Sequence, residues 1–358
     1  MSSRILRYPV EDLERYVERF LNKLGVPLPD AQISARILVA ADLRGISSHG
    51  VIRLHTYYGS RIQKGLIDPL TPLITVYETA ANATLDAGNG LGMVAAHRAM
   101  ERCIQMARQA NVAVVSVRNS NHFGIAGYYA MMALKADQIG ISLTNAQPLV
   151  APTYGRKAML GTNPIAVAVP CAGRSPFVLD MATSVVPIGK VTVHEKTGHP
   201  VPLGWGMDAS GKMTDNPSEI LNGGALSPLG GTDTLRGYKG YDLAVVVDIL
   251  SGILSGSGFG ITAGANDKPA RIGHFFMTIN IGAFRPLEDF KRDMSGLMNE
   301  LQNAPKAEGQ SRIYLAGEKE FELDAENRVK GVPLLDEVVK GLDQAGREVG
   351  VPFDLNSV

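Results

Sequence analysis

Residues 83–117 read ATLDAGNGLGMVAAHRAMERCIQMARQANVAVVSV, and this stretch decides the fold class. Ala83 to Asp86 predicts a strand, and the glycine-rich run at 88–92 leads into a helical apolar pattern from Val94 to Ala110. Val112 to Val117 is rich in β-branched residues and predicts a second, buried strand. A strand, a crossover helix and a strand form a βαβ unit, which is typical of an α/β protein.

The glycine run Gly88-Asn89-Gly90-Leu91-Gly92 invites comparison with a dinucleotide fingerprint. The spacing differs from Gly-x-Gly-x-x-Gly because residue 93 is methionine, and the strand ends Val117-Arg118-Asn119 without an acidic residue. A Rossmann cofactor site and a tight structural turn both stay open here, and the spacing favours the turn.

Outside this stretch, apolar residues at helical spacing predict further helices near both ends of the chain and in its middle. The predicted helices run from 10 to 24, 30 to 44, 125 to 136, 241 to 254, 287 to 302 and 334 to 349. Further strands are predicted at 73–77, 140–144, 164–169, 177–180 and 274–281. Because 358 residues exceed what one hydrophobic core usually organises, we predict two lobes. The terminal helices (1–78 and 287–358) form one, and a sheet-bearing lobe (79–286) forms the other.

Composition excludes several partners. Thirty-five basic residues balance 35 acidic ones, and the basic clusters, such as Arg156-Lys157, are too short to form the stripe that would neutralise a nucleic acid. No apolar stretch has the length of a signal peptide or a membrane span, and only Cys103 and Cys171 are present. We therefore expect a cytoplasmic protein with no membrane partner and no disulfide.

Two of the seven histidines lie where catalytic groups collect. His122 follows the second strand of the βαβ unit, and loops at the carboxyl ends of strands hold ligands in α/β sheets. His49 follows a predicted helix, and Arg53 stands four residues later. An imidazole can take the proton of an alcohol while a guanidinium holds a neighbouring carboxylate. This pairing suits the oxidation of a 2-hydroxy acid.

Asp180 ends the apolar strand Phe177 to Asp180 and has three open readings. The carboxylate could orient a histidine tautomer, or it could cap a following helix. It could also join His49 and His122 as a metal ligand in a hydrolase. No His-x-x-x-His or Cys-x-x-Cys pair supports a metal site, so we predict none.

Several motifs, in the same order along nearly the whole chain, resemble the malate/L-lactate dehydrogenase family that is unrelated to the Rossmann lactate and malate dehydrogenases. The resembling segments are DLRG (42–45), SHGV (48–51), NSNHFGIAGYY (119–129), LGTNP (160–164), LDMATS (179–184) and YKGY (238–241). The resemblance implies a homodimer whose mixed-sheet lobe binds NAD or NADP in a non-Rossmann manner.

The resemblance also implies residue roles. His122 is implied as the acid/base, with His49 and Asp180 in catalysis, and Arg53, Ser48 and Tyr57 are implied at the substrate. The implied cofactor contacts are Thr144, Asn145, Ala146, Met181, Ala182, Lys190 and Lys239. Many relatives carry serine where this chain has Ala146, which puts a hydrogen bond to the cofactor there in doubt.

The predicted substrate is a small 2-hydroxy or 2-keto acid, first malate/oxaloacetate or L-lactate/pyruvate. One alternative keeps the fold and acts on ureidoglycolate, sulfolactate or a cyclic imino acid, and a second is the metal-dependent hydrolase. Turnover of oxaloacetate, pyruvate and piperideine-2-carboxylate with NADH separates the first two, and metal analysis of the purified protein tests the third.

Overall fold

A computed structural model of the chain describes residues 4–358. The helices are α1 (Val10–Lys23), α2 (Leu28–Leu43), α3 (Ser60–Gln63), α4 (Gly92–Ala110), α5 (Ala126–Met132), α6 (Ile188–Thr197), α7 (Pro217–Leu221), α8 (Tyr238–Asp248), α9 (Leu287–Asn303), α10 (Glu318–Lys330) and α11 (Asp336–Val349). The strands are β1 (Ile5–Tyr8), β2 (Ile74–Glu78), β3 (Asn82–Asp86), β4 (Val112–Ser120), β5 (Gln138–Thr144), β6 (Ile165–Val169), β7 (Phe177–Met181), β8 (Gly206–Met207), β9 (Met213–Thr214), β10 (Ala225–Leu226), β11 (Ile272–Asn280) and β12 (Val332–Leu335).

Seven strands form the main sheet, in the order β2-β3-β4-β11-β5-β6-β7. β3 and β4 pair in parallel, with Leu85 opposite Val117, and α4 connects them. The other neighbouring strands of this sheet pair antiparallel. The predicted βαβ unit is therefore confirmed, and it lies within a mixed α/β sheet whose strand order is not that of a Rossmann fold.

The crossover helix α4 is held by its apolar face. Met93, Met100, Cys103 and Ile104 are buried against the sheet, and burial of a side chain of this size contributes about 1.5–3 kcal/mol. The helix ends at Asn111, whose φ of 68° lies in the left-handed region that asparagine tolerates. Cys103 and Cys171 are both free thiols.

One hydrophobic core joins the amino-terminal helices to the sheet. Leu13 of α1 and Ile37 of α2 belong to the same buried cluster as Val115 of β4. β1 pairs antiparallel with β12, which brings the two ends of the chain together. The division into two lobes stays a prediction. The boundary between the lobes would fall before β2 and not after residue 78, because β2 belongs to the main sheet. Residues 1–3 of the predicted helical lobe lie outside the described part of the chain.

The sequence patterns missed α6 and α10. α6 begins after Pro187 and is followed by Gly198, whose φ is 68°. Val191 is the one buried residue of this helix, so its sequence has no apolar stripe that would predict it. The glycine- and proline-rich stretch at 198–240 contains the small sheet β10-β8-β9. Within residues 4–358, no helix combines the length and the apolarity that crossing a bilayer requires.

Candidate active site

The predicted site residues collect at one edge of the main sheet. β11 runs antiparallel to both β4 and β5, and β6 runs antiparallel to both β5 and β7. β4, β5 and β7 therefore point the same way, so their carboxyl ends meet at one edge. His122, Thr144 and Met181 lie at these ends.

His122 lies in a group of aromatic rings. The ring of His49 stacks on it, with 5.4 Å between centroids and 24° between planes. The rings of Tyr57 and Tyr58 lie 5.4 Å and 5.9 Å from it. The structure thus brings together residues that are far apart in the chain, as the sequence analysis expected for the two histidines and Tyr57.

Asp42, near the carboxyl end of α2, holds the loop that carries His49. The buried carboxylate of Asp42 accepts a hydrogen bond of 2.7 Å from the amide of Val51. A Cβ added to Gly50 would lie 2.1 Å from Oδ1 of Asp42, so the close approach requires glycine. Burial raises the pKa of Asp42 to about 8.

Arg53 has the geometry of an open carboxylate fork. Its Nε donates a hydrogen bond of 2.7 Å to the carbonyl oxygen of Ser48. Its two terminal amino groups make no hydrogen bond or ion pair with residues 4–358. The Ser48 hydroxyl lies 2.9 Å from Nδ1 of His49. Arg53 is therefore oriented by the chain while its bidentate end is left for a ligand.

A π-helical segment, Leu54–Gly59, presents two consecutive tyrosines to the same imidazole. Its wider turn differs from an α-helix, and π-helical turns are frequent at functional sites. Tyr58 is fully buried, and its Oη lies 2.7 Å from Nδ1 of His122. Sequence analysis missed Tyr58, because neither the π-helical turn nor this contact has a local sequence signal.

Arg61 is a second residue that the sequence analysis missed. This buried arginine donates hydrogen bonds to the carbonyl oxygens of Ala265, Asn266 and Lys268, at 3.2, 3.0 and 2.7 Å. Its guanidinium lies 5.2 Å from the ring centre of Tyr57. It therefore joins the loop before β11 to the tyrosine side of the site.

The two histidines are held neutral. Burial, and then the positive charge of Arg53, lowers the pKa of His49 to about 4. Burial lowers the pKa of His122 well below 6.5, and His49, Arg53 and His274 lower it further. No acidic side chain contributes to either shift. At neutral pH both imidazoles are therefore uncharged, and one of them can accept a proton.

Asp180 does not contact either histidine through a hydrogen bond. Its Oδ2 instead accepts one of 2.7 Å from the amide of Gly127, in the first turn of α5. Desolvation by the surrounding protein atoms raises the pKa of Asp180 to about 6, although part of the residue is exposed to solvent. The structure thus differs from the expected direct support of a histidine, because the carboxylate is engaged by a helix amide.

Two of the predicted cofactor side chains are already engaged inside the protein. Oγ1 of Thr144 lies 2.7 Å from Nδ1 of the buried His274. Nδ2 of Asn145 donates to Oδ1 of Asp248 at 2.9 Å and to the carbonyl oxygen of Gly258 at 2.7 Å. Because these polar atoms already make hydrogen bonds inside the protein, the structure does not favour contacts from either side chain to a cofactor.

Ala146 follows β5 and is held through its main chain. Its amide donates a hydrogen bond of 3.1 Å to Oδ1 of Asn163, which is itself buried. The methyl side chain offers no donor, so the sequence-based doubt about a hydrogen bond at this position stands.

Lys190 and Lys239, two of the predicted cofactor residues, are exposed positive charges. Lys190 lies in the first turn of α6 and Lys239 in the first turn of α8, and both are exposed. Neither ammonium group has a hydrogen bond or ion pair within the described part of the chain. Helix amino termini and free lysines suit a pyrophosphate. The donor set therefore fits the predicted dinucleotide.

α6 also lies close to the histidine loop. A Cβ added to Gly189 would lie 3.9 Å from Cβ of Ser48. Met181, the last residue of β7, and Ala182, the first residue after it, begin the segment that connects β7 to α6, and both are partly accessible to solvent. The start of α6, with Lys190, therefore lies next to the loop that carries Ser48 and His49.

Neither a metal-ligand cluster nor a separate cavity among the described residues supports a different active site. In the range 4–358, the side chains form no group of three metal-ligating residues. A cavity of about 760 Å³ lies apart from His122, and its Arg174 and Arg312 already pair with the carboxylate of Glu318.

Comparisons with known proteins agree on one family. Its sequence profile, described as malate/L-lactate dehydrogenase, matches residues 8–343. A malate dehydrogenase of Pyrococcus abyssi is 48% identical over 97% of this chain and 96% of that protein. An L-sulfolactate dehydrogenase of Methanocaldococcus jannaschii is 37% identical over 96% of this chain and 97% of that protein. A solved structure of malate dehydrogenase from Pyrococcus horikoshii OT3 superposes with a TM-score of 0.91 at 42% identity, over 97% of this chain and 96% of the other.

Proposed function

From the premise that this chain belongs to the malate/L-lactate dehydrogenase family and is an NAD(P)-dependent 2-hydroxy acid dehydrogenase, we propose that its substrate pair is malate and oxaloacetate. The carrying observation is the free guanidinium end of Arg53 beside the neutral, stacked pair His49 and His122. The 48% identity to a malate dehydrogenase favours malate over the other 2-hydroxy acids.

In the proposed reaction, Arg53 holds the carboxylate next to the hydroxyl-bearing carbon. Nε2 of His122 accepts the hydroxyl proton as the carbon becomes a carbonyl. A bound nicotinamide would supply the hydride acceptor for that carbon, while the hydroxyl proton goes to His122. The reverse direction returns the proton from His122 to the carbonyl oxygen.

His49 and Tyr57 complete the proposed substrate pocket. Both rings lie within 5.4 Å of His122, and His49 stays uncharged because of its lowered pKa. Their uncharged surfaces leave Arg53 as the cation that neutralises the substrate carboxylate. Excluding water from this pocket strengthens that contact.

Lys190 and Lys239, with the main chain of Met181, Ala182 and Ala146, are the proposed cofactor contacts. Support comes from the two free ammonium groups at helix amino termini. Binding of NADH and of NADPH, followed by fluorescence of the reduced nicotinamide, separates the two cofactors. Lys190→Ala is expected to weaken whichever cofactor binds.

A substrate panel tests the proposal. Oxaloacetate, pyruvate, ureidoglycolate and piperideine-2-carboxylate are compared by absorbance of the reduced nicotinamide, with the oxidised or reduced cofactor as each reaction requires. Oxaloacetate is expected to have the highest kcat/KM. Exclusive reduction of the cyclic imine, or exclusive oxidation of ureidoglycolate, would contradict the malate assignment. His122→Ala serves as the inactive control.

A homodimer is part of the proposal. One face of α8 and the π-helical turn after it exposes Leu243, Val246, Ile249 and Ile253, and continues near Phe259. Exposed apolar patches of this kind mark interaction sites, and a second copy of the chain is the proposed occupant. Sedimentation is expected to give a dimer, and Val246→Glu is expected to give monomer. The cytoplasmic location stays a prediction.

A further inference from the structure

Nδ1 of His122, the ring nitrogen turned away from the proposed substrate contact, has two neighbours. Oη of Tyr58 lies 2.7 Å away, and the main-chain nitrogen of Gly124 lies 3.3 Å away. Oη of Tyr58 also lies 3.3 Å from the carbonyl oxygen of His122. These three contacts decide which nitrogen of the neutral imidazole carries its proton.

Two arrangements are possible, and each leaves one of these contacts unmade: the first leaves the N–H of Gly124, at 3.3 Å, without an acceptor, and the second leaves the carbonyl oxygen of His122 without the Tyr58 hydroxyl. In the first, Nδ1–H donates to Oη of Tyr58, and the tyrosine donates its own proton to the carbonyl oxygen of His122. In the second, Nδ1 has a lone pair and accepts from Tyr58 and from Gly124, so the proton lies on Nε2. A tyrosine hydroxyl has one proton and cannot donate to both acceptors.

Alcohol oxidation requires the first arrangement. Only there does Nε2 of His122 present a lone pair that can take the substrate hydroxyl proton. In the second arrangement Nε2 already has a proton, and the neutral ring cannot act as the base.

We propose that Tyr58 is the positioning residue that sets the tautomer of His122, by accepting the Nδ1 proton while donating its own to the His122 carbonyl oxygen. This inference deepens the proposed function and rests on His122 as the base. It gives a neutral phenol the place that a carboxylate occupies in a Ser-His-Asp triad.

The surroundings of His122 support a neutral partner. The charged or titratable groups that face it are His49, Arg53, His274, Tyr57 and Tyr58, and none is acidic. Asp180 bonds to Gly127 instead. Burial raises the pKa of Tyr58 well above its usual range, so the phenol keeps the proton that it donates. Tyr58 can contact His122 because the π-helical segment brings both Tyr57 and Tyr58 to this ring.

The amide of Gly124 makes the inference testable. Removing the hydroxyl of Tyr58 leaves Nδ1 with Gly124 as its hydrogen-bond neighbour, and an amide N–H only donates. Nδ1 must then present its lone pair, which moves the proton to Nε2. Loss of one oxygen atom is therefore expected to switch the tautomer.

The experiment compares Tyr58→Phe with Tyr129→Phe. Tyr129 is also fully buried, and its hydroxyl donates to the carbonyl oxygen of Phe123, the neighbour of His122, so it matches the loss of a buried hydroxyl. Tyr58→Phe is expected to lower kcat roughly 10- to 100-fold, a part of the ~10²–10⁴-fold that a general base supplies. KM for malate and the affinity for the cofactor are expected to stay unchanged. Tyr129→Phe is expected to retain kcat.

Nitrogen NMR of ¹⁵N-histidine-labelled, ligand-free protein reads the tautomer directly, and the His122 signals are assigned by their loss in His122→Gln. Wild type is expected to carry the proton on Nδ1, and Tyr58→Phe on Nε2, with thermal unfolding showing that both are folded. A wild-type proton on Nε2, an unchanged kcat in Tyr58→Phe, or an equal loss in Tyr129→Phe would overturn the inference. The NMR result does not depend on turnover, so failure of the malate assignment is distinguishable from failure of the tautomer.

Discussion

Arg53 uses one of its guanidinium nitrogens inside the protein and leaves the fork free. The contact from Nε to the Ser48 carbonyl oxygen fixes its direction without neutralising its charge. The same charge lowers the pKa of both His49 and His122. In the proposed reaction, a single residue thus holds the substrate anion and, together with burial, favours the unprotonated base.

Arg53→Ala is expected to raise KM for malate, because a charge-assisted contact worth about 1.5–3 kcal/mol is lost. That range corresponds to roughly 10- to 150-fold. Arg53→Lys is the matched variant: it keeps the charge but not the fork, so its KM should fall between the two. Affinity for NADH, measured by fluorescence titration, should not change. Equal losses for substrate and cofactor would indicate general damage instead.

The pH dependence of kcat/KM for malate oxidation follows from the same residues. His122 must be unprotonated, and its pKa lies well below 6.5. The acid limb of the profile is therefore expected below pH 6.5. Because a neighbouring cation lowers the pKa of a histidine, Arg53→Ala should move this limb to higher pH. A wild-type limb above pH 6.5, with no change in the variant, would count against His122 as the base.

At the scale of elements, the helix α4 packs unusually close to the His122 loop. A Cβ added to Gly92, its first residue, would lie 2.0 Å from the carbonyl oxygen of Asn121 and 2.5 Å from that of His122. The side chain of Asn121 in turn donates to the carbonyl oxygens of Asn89 and Gly90, at 3.0 and 2.9 Å. The glycine run therefore serves close packing, which supports the structural turn over the Rossmann site.

Gly92→Ala is expected to destabilise the fold by about 1–3 kcal/mol and to lower kcat, because the added methyl must push the His122 loop away. Gly296→Ala in α9 is the control, since nothing lies within 4 Å of its Cβ position. That control should gain up to about 1 kcal/mol from helix propensity. Urea unfolding and kcat measure both. A Gly92→Ala protein as stable and as active as wild type would contradict this packing role.

Across the whole molecule, buried ionisable groups make stability depend on pH in two opposing directions. Folding lowers the pKa of His49 to about 4 and of His274 to about 3, and it also lowers that of His122. These groups contribute stability above pH 6.5 that is lost as the pH falls toward their folded values. Folding raises the pKa of Asp42 to about 8, so its contribution is lost as the pH rises toward 8.

The free energy of unfolding is therefore expected to be greatest near pH 6.5. Below it, three histidines outweigh Asp42 and Asp180, whose raised pKa values act in the opposite direction. Above it, Asp42 dominates. Urea unfolding at pH 5.5, 6.5 and 8 measures the effect, at about 1.4 kcal/mol for each full proton and pH unit. Asp42→Asn should flatten the alkaline side and make the acid side steeper, and a steady rise through pH 8 in wild type would refute the assignment.

The sequence alone determined the elements that carry a strong local period. The βαβ unit and the helix α1 were predictable because their apolar residues repeat at strand or helix spacing. It also placed His122 at the carboxyl end of a strand, where ligands collect in α/β sheets. His49 follows a helix, so its closeness to His122 could not be inferred from strand direction.

The tertiary structure decided which atoms touch. Tyr58 and His122 are 64 residues apart, and their contact depends on a π-helical turn that has no sequence signature. Packing also gave Asp180 a helix amide as its partner, and it buried the side chains of Thr144 and Asn145. A hydrogen bond forms or fails within a few tenths of an ångström. Only the packing of distant segments fixes positions that closely.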